Sequence, residues 1–141
     1  MNNNPEIWGP YYWFFLHTIA INYPDKPNDI TKRKYYDLIQ NMPLFIPTLE
    51  IGNKFAELLD KYPVSPYLCS RQSFMKWVHF IHNKINFSIG KKEMSYLESL
   101  EHYNSLYKDK TTKIHEQISA YYKYIYIIII SICLFLIYLY Y

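Results

Sequence analysis

Trp13 and His17 stand four residues apart, so a helix places them on one face. Further along, His79, His82, Asn83 and Asn86 recur at spacings of three and four. They border an apolar stripe made of Phe74, Trp77, Val78, Ile81 and Ile85. An indole plane, imidazoles and amides on facing helices can sandwich a heteroaromatic ring and read its polar edge. Lys91 and Lys92 follow at once and can meet phosphates. Taken singly, each of these is an ordinary core or rim residue, so the signal lies in the combination. A zinc site built from Cys69, His79 and His82 fails on ligand number and spacing. There is no glycine-rich phosphate loop and no dinucleotide fingerprint.

The elements that must position these residues read as all-α. Pro10 suits the first turn of a helix whose apolar residues run from Tyr11 to Ile21. Tyr23-Pro24 ends it, and Pro27 keeps the linker extended. Asp29 is the expected N-cap of a second helix, with Tyr35, Leu38, Ile39 and Met42 at helical spacing. Pro43 and Pro47 bracket a break. Thr48 can cap a third helix that buries Phe55, Leu58, Leu59 and Tyr62. Pro63 and Pro66 mark a turn, Ser70 can cap a fourth helix, and Gly90 closes it as a C′ residue. Ser95-Tyr96-Leu97-Glu98 is a capping-box pattern opening a shorter fifth helix. The expectation is a compact four-helix bundle plus a short fifth helix, followed by a C-terminal transmembrane helix. The expected boundaries are a helical domain over 1–107, a polar connector and juxtamembrane segment over 108–123, and a span over 124–141.

The tail has 18 residues from Tyr124 to Tyr141 and no charge. As a helix it is about 27 Å long, close to the hydrocarbon thickness of a bilayer. Eleven of the 18 are Ile, Leu or Phe, which favours insertion by up to about 5 kcal/mol. Tyrosines 121, 122, 124 and 126 gather at one end and 138, 140 and 141 at the other, as an interfacial belt does. Met1–Gly9 has neither a basic n-region nor an apolar h-region, so the expectation is a tail anchor. Lys108, Lys110, Lys113 and Lys123 precede the span and favour a cytosolic side for residues 1–120, a reducing compartment. The net charge of +3 is mild and spread out, so no nucleic-acid partner is expected.

Residues 8–92 resemble the flavin-binding core of the Erv/ALR sulfhydryl oxidases. The resemblance is carried by Trp8-Gly9-Pro10, Trp13, Leu16-His17-Thr18, Tyr23-Pro24-Asp25, and Phe74 through Lys91 with Trp77, His82, Asn83, Asn86 and Gly90. It implies that Trp13, His17, His82, Asn83, Asn86 and Lys91 contact FAD, whereas His79 falls where the family pattern varies and is expected on the helix surface. In the family, electrons pass from a substrate dithiol to a Cys-x-x-Cys pair beside the flavin, then to FAD and to oxygen. Such a pair at a helix start is favoured because the helix dipole stabilises a thiolate there. By the same resemblance the matching positions here are Thr48 and Ile51, which cannot form a disulfide. Cys133 lies in the tail. Cys69 precedes the fourth helix without a partner in the soluble part, so it is expected to be an inert small residue.

The resulting expectation is a membrane-anchored, FAD-binding family member without dithiol oxidase activity of its own. It would act as a homodimer, or as a heterodimer with an active relative, since the family dimerises through helix faces. The alternatives are an active oxidase using Cys69 or partner thiols, and a cofactor-free membrane adaptor. The family analogy points to assembly of disulfide-bonded proteins, as in a large DNA virus, and so to a viral membrane.

Overall fold

The computed structural model describes residues 4–108 and 110–140. The side chains of Lys110, Lys113 and Tyr140, and all of Tyr141, lie outside the described residues, and with them the membrane-surface roles expected there. The described regular structure is helical: α1 Pro5–Ile21, α2 Asp29–Phe45, α3 Leu49–Lys61, α4 Arg71–Ser88, α5 Tyr96–Tyr107 and α6 Lys110–Tyr140, with a 3-10 turn at Ser65–Tyr67. The chain forms two compact units, residues 1–103 and 104–141.

In the first unit α1 packs on α4, α2 on α3, and α3 on α4. α1 starts earlier than expected. Asn4 is its N-cap, its side-chain oxygen accepting from the Glu6 N–H at 3.0 Å, and Pro5 occupies the first turn. Pro10 therefore sits inside the helix. It forfeits one backbone hydrogen bond on the exposed side, where water can satisfy the freed carbonyl. Gly9, Leu16, His17 and Ala20 turn inward along one stripe. Asn28, one residue before the expected Asp29, caps α2 by accepting from the Thr31 N–H at 2.8 Å. This helix runs through Pro43 and ends at Ile46-Pro47, because Ile39 and Met42 are buried on its inner face and hold the last turns in place.

Thr48 stands at the N-cap of α3 in extended conformation, and its carbonyl accepts from the Gly52 N–H at 2.9 Å. Its side chain makes no capping hydrogen bond, so the expected hydroxyl cap is absent. Ile51, Phe55, Leu58 and Leu59 face the core as the pattern requires, with Tyr62 partly buried beside them. Gly52 permits the close approach of α3 to α2, since a Cβ there would lie 2.9 Å from the Pro43 carbonyl oxygen. Ser70 caps α4 as expected, accepting from the Ser73 N–H at 3.2 Å. The indole of Trp77 donates to the Tyr62 carbonyl at 3.0 Å and ties α4 to the end of α3.

The Tyr23-Pro24-Asp25 corner is pinned to the start of α4. The buried Tyr23 hydroxyl donates to the Leu68 carbonyl at 2.9 Å, while Arg71 donates to the Tyr23 carbonyl at 2.6 Å and pairs with Asp25 at 3.3 Å. Tyr23, Tyr35 and Phe74 pack edge to face around it, a favoured aromatic geometry. α5 opens with the expected capping box. Ser95 N–H donates to the Glu98 carboxylate at 2.7 Å, and hydrogen bonding by Ser95 holds that carboxyl below its usual range, while Glu98 N–H donates to the Ser95 hydroxyl at 3.2 Å.

In the second unit the polar stretch read as a connector supplies the first turns of α6. Within α6, Gln117–Leu139 spans 23 residues and contains an 18-residue window of mean hydropathy 2.1, long and apolar enough to cross a membrane.

Gly52→Ala should destabilise the first unit by about 1–3 kcal/mol, because backbone rather than a flexible side chain meets the new methyl group. Thermal unfolding followed by circular dichroism checks this, and an unchanged midpoint would refute the close-approach account.

Candidate functional site

α1 and α4 bring two histidines together from sites 65 residues apart in sequence. His17 Nε2 lies 3.2 Å from His82 Nδ1, and both rings are buried. One nitrogen must donate and the other accept, which requires at least one ring to be neutral. Burial is the main cause that pushes both groups down to about 3. His82 adds to the effect on His17, while His79, His102 and Lys91 add to it on His82. The pair is therefore uncharged at neutral pH.

Two further rings extend the pair into an array. Trp13 stacks on His82 with centroids 3.9 Å apart and planes 12° from parallel. Tyr103 of α5 stacks on His17 at 3.8 Å and 16°. Trp13, His82, His17 and Tyr103 thus form a run of four rings drawn from three helices. Phe55 of α3 approaches Trp13 at 6.3 Å. Trp13 and His82 thus touch face to face within the seam.

The other expected site residues separate into two groups. Asn86 is buried at the end of α4, and its carbonyl accepts from the Lys91 N–H at 2.8 Å. Gly90 N–H donates to the Phe87 carbonyl at 3.2 Å, and Gly90 has φ of 72°, which completes a Schellman turn. This turn leaves the Lys91 side chain exposed, yet close enough to act electrostatically on His82. Asn83 does something else. Its amide donates to the Met94 carbonyl at 2.7 Å and accepts from the Met94 N–H at 3.1 Å, fastening the loop before α5. His79, expected on the surface, is half-buried, 3.3 Å from the Asn83 amide and edge-on to Tyr96.

Tyr103 is the residue that the sequence did not single out. It is one of 17 tyrosines, and nothing in its spacing tells it from the others. Its burial, which pushes the phenol pKa up, follows from α5 folding back onto His17. Ile51 is buried one turn before Phe55, so the first turn of α3 shares the face whose ring meets Trp13. Cys69 and Cys133 are both exposed free thiols.

Fold and site together define a small helical-bundle protein with a neutral, ring-lined seam between its first and fourth helices. Residues 10–108 match the Erv1 / Alr family, and the chain belongs to that family. It is 36% identical over 99 residues to a probable FAD-linked sulfhydryl oxidase of Acanthamoeba polyphaga mimivirus, covering 70% of this chain and 69% of that one. It is 29% identical over 106 residues to an FAD-linked sulfhydryl oxidase of African swine fever virus, covering 75% and 84%. The match to the Arabidopsis thaliana FAD-linked sulfhydryl oxidase ERV1 is 34% over 86 residues, covering 61% of this chain and only 44% of the plant protein. Among solved structures the fold resembles the yeast Erv1 core, with a TM-score of 0.64 at 22% identity over 76% of this chain and 86% of that one. It also resembles the FAD binding domain of Saccharomyces cerevisiae Erv1, with a TM-score of 0.65 at 21% identity over 73% and 96%.

The neutral imidazole pair makes stability depend on acid. Unfolded histidines take up protons near their ordinary value of 6.5, whereas the folded pair resists until about 3. The unfolded state therefore binds more protons between these limits. The contribution is fully present above 6.5 and is lost as pH falls toward 3, at up to about 1.4 kcal/mol per pH unit for each ring. Melting midpoints measured from pH 7 to pH 5 should fall. His82→Gln, compared as a slope rather than an absolute midpoint, should flatten that fall, and an equal slope would contradict the assignment.

Proposed function

We propose that this chain is a membrane-anchored FAD-binding member of its family that has lost dithiol oxidase activity of its own. The observation that carries the reading is the ring array set beside a helix start that has no thiol. The array offers aromatic planes for a flat ring and neutral imidazole edges that can donate or accept. Lys91 beyond the Schellman turn offers a cation for phosphate. This donor set fits FAD, and Trp13, His17, His82, Asn86 and Lys91 would hold it. Asn83 would act by positioning the loop at Met94. When bound, FAD supplies an acceptor for two electrons and a route from them to oxygen.

This chain's residues would hold and orient the ring and exclude water from its edge. The buried pair would keep its proton between His17 Nε2 and His82 Nδ1 rather than carry a charge. The redox step lacks its first relay. The two cysteines are at 69 and 133, so the chain holds no Cys-x-x-Cys, and Thr48 and Ile51 occupy the start of α3. α6 would be the anchor, with the helical domain on the cytosolic side. The viral relatives support a viral membrane as its setting. The domain would then pair with a second copy or with an active relative, lending binding and position while the partner supplies the thiols.

An oxygen-consumption assay with a dithiol and added FAD tests the reading. The chain should show no flavin-dependent turnover, and Thr48→Cys with Ile51→Cys together should confer it. Turnover by the unmodified chain that disappears in Cys69→Ser would overturn this reading in favour of an oxidase working through Cys69. Separately, His82→Ala should weaken FAD binding at least tenfold and reduce the rise in melting temperature that FAD produces. Equal binding by the variant would favour an adaptor without a cofactor.

A further inference from the structure

Residues 71–92 contain Arg71, Lys76, Lys84, Lys91 and Lys92 and no acidic residue, whereas the rest of the chain has ten basic residues against twelve acidic ones, from totals of 15 and 12. The net positive charge of the chain is thus concentrated in and just after α4. Arg71 is engaged by Asp25 and the Tyr23 carbonyl, and Lys91 and Lys92 lie beyond the helix end. Lys76 and Lys84 remain on the helix itself. They share one arc of α4 with Phe80 and Phe87, at spacings of four, four and three. The arc faces outward. Lys76 is exposed, Phe80 and Phe87 are 36% and 74% exposed, and the Lys84 ammonium sits 5.3 Å over the Phe80 ring. The inner side of the same helix carries Trp77, Val78, Ile81 and Ile85 in the core. Core packing accounts for one side of α4; on the other, Phe80 meets Tyr62 edge to face at 4.9 Å while Lys76 and Phe87 stay exposed to solvent.

We infer that the Lys76–Phe80–Lys84–Phe87 face of α4 docks on an anionic lipid bilayer. Alternating lysines and phenylalanines are the composition of surfaces that seat rings at the headgroup boundary while ammonium groups meet anionic lipids. The inference rests on the reading of α6 as a membrane span, which tethers the domain to a bilayer and lets weak contacts count through high effective concentration. Each lysine near an anionic surface contributes roughly a fivefold gain in partitioning, and salt screens it. The face uses neither His17 nor His82 and leaves the ring array free.

The test uses the full chain reconstituted into vesicles of phosphatidylcholine alone or mixed with phosphatidylserine. A fluorophore is placed through Gln72→Cys, on the first turn beside this face, in a Cys69→Ser, Cys133→Ser background. Lipid spin-labelled at its headgroup serves as quencher, and a second probe through Asp37→Cys on α2 is the control. Strong quenching at position 72 in phosphatidylserine vesicles is expected, with little at position 37. Quenching should weaken at least threefold in high salt and in Lys76→Glu with Lys84→Glu, variants whose helical signal should be unchanged. Equal quenching at both positions, or no dependence on phosphatidylserine, would overturn the proposal. So would a probe that responds to polyuridylate and not to vesicles. Alkaline carbonate extraction reads the span independently: release into the wash refutes the span, whereas retention without quenching at position 72 refutes the docking face.

Discussion

The contact between His17 and His82 sets the terms for everything near it. Two imidazoles 3.2 Å apart in a buried seam cannot both be charged, so one must donate to the other. That requirement orients both rings where α1 packs on α4. Trp13 and Tyr103 then cover the two outer faces, and α5 is drawn onto the bundle through Tyr103. In the proposed reading this seam of neutral, stacked rings receives a flat, polar-edged molecule, and burial keeps its imidazoles neutral across ordinary pH.

Structure and redox chemistry come apart at the start of α3. The helix needs an N-terminal residue with extended backbone and an apolar side chain facing the core one turn before Phe55. Thr48 and Ile51 meet those demands, the first through its carbonyl and the second through burial. Electron transfer needs two sulfur atoms, a demand that packing does not enforce. A bundle with Thr48 and Ile51 at the start of α3 therefore keeps its shape and its ring-lined seam without sulfur there.

Much of the bundle was legible in the sequence because its signals are local. Ser70, Gly90 and the Ser95–Glu98 box act within a turn of their own position, and each ends or begins a helix where its chemistry says it should. Proline was less reliable. Pro10 and Pro43 each lie inside a helix because the bond they forgo is outweighed by burial on either side, a tertiary effect that no local pattern records. At the site, Trp13, His17 and His82 were readable from spacing on two helices. Tyr103 was not, since its place depends on how α5 folds back. The resemblance places Asn83 at a ligand contact, and in the structure its amide also fastens Met94, whose backbone carries no sequence signal.

The central claim is that the chain holds FAD and lacks the electron donor beside it. An anaerobic visible spectrum of the purified chain with FAD, recorded before and after addition of a dithiol, addresses both halves at once. The account predicts a protein-bound flavin band that persists after the dithiol is added. A chain that retains no flavin, or a bound flavin that bleaches rapidly with the dithiol, would contradict it.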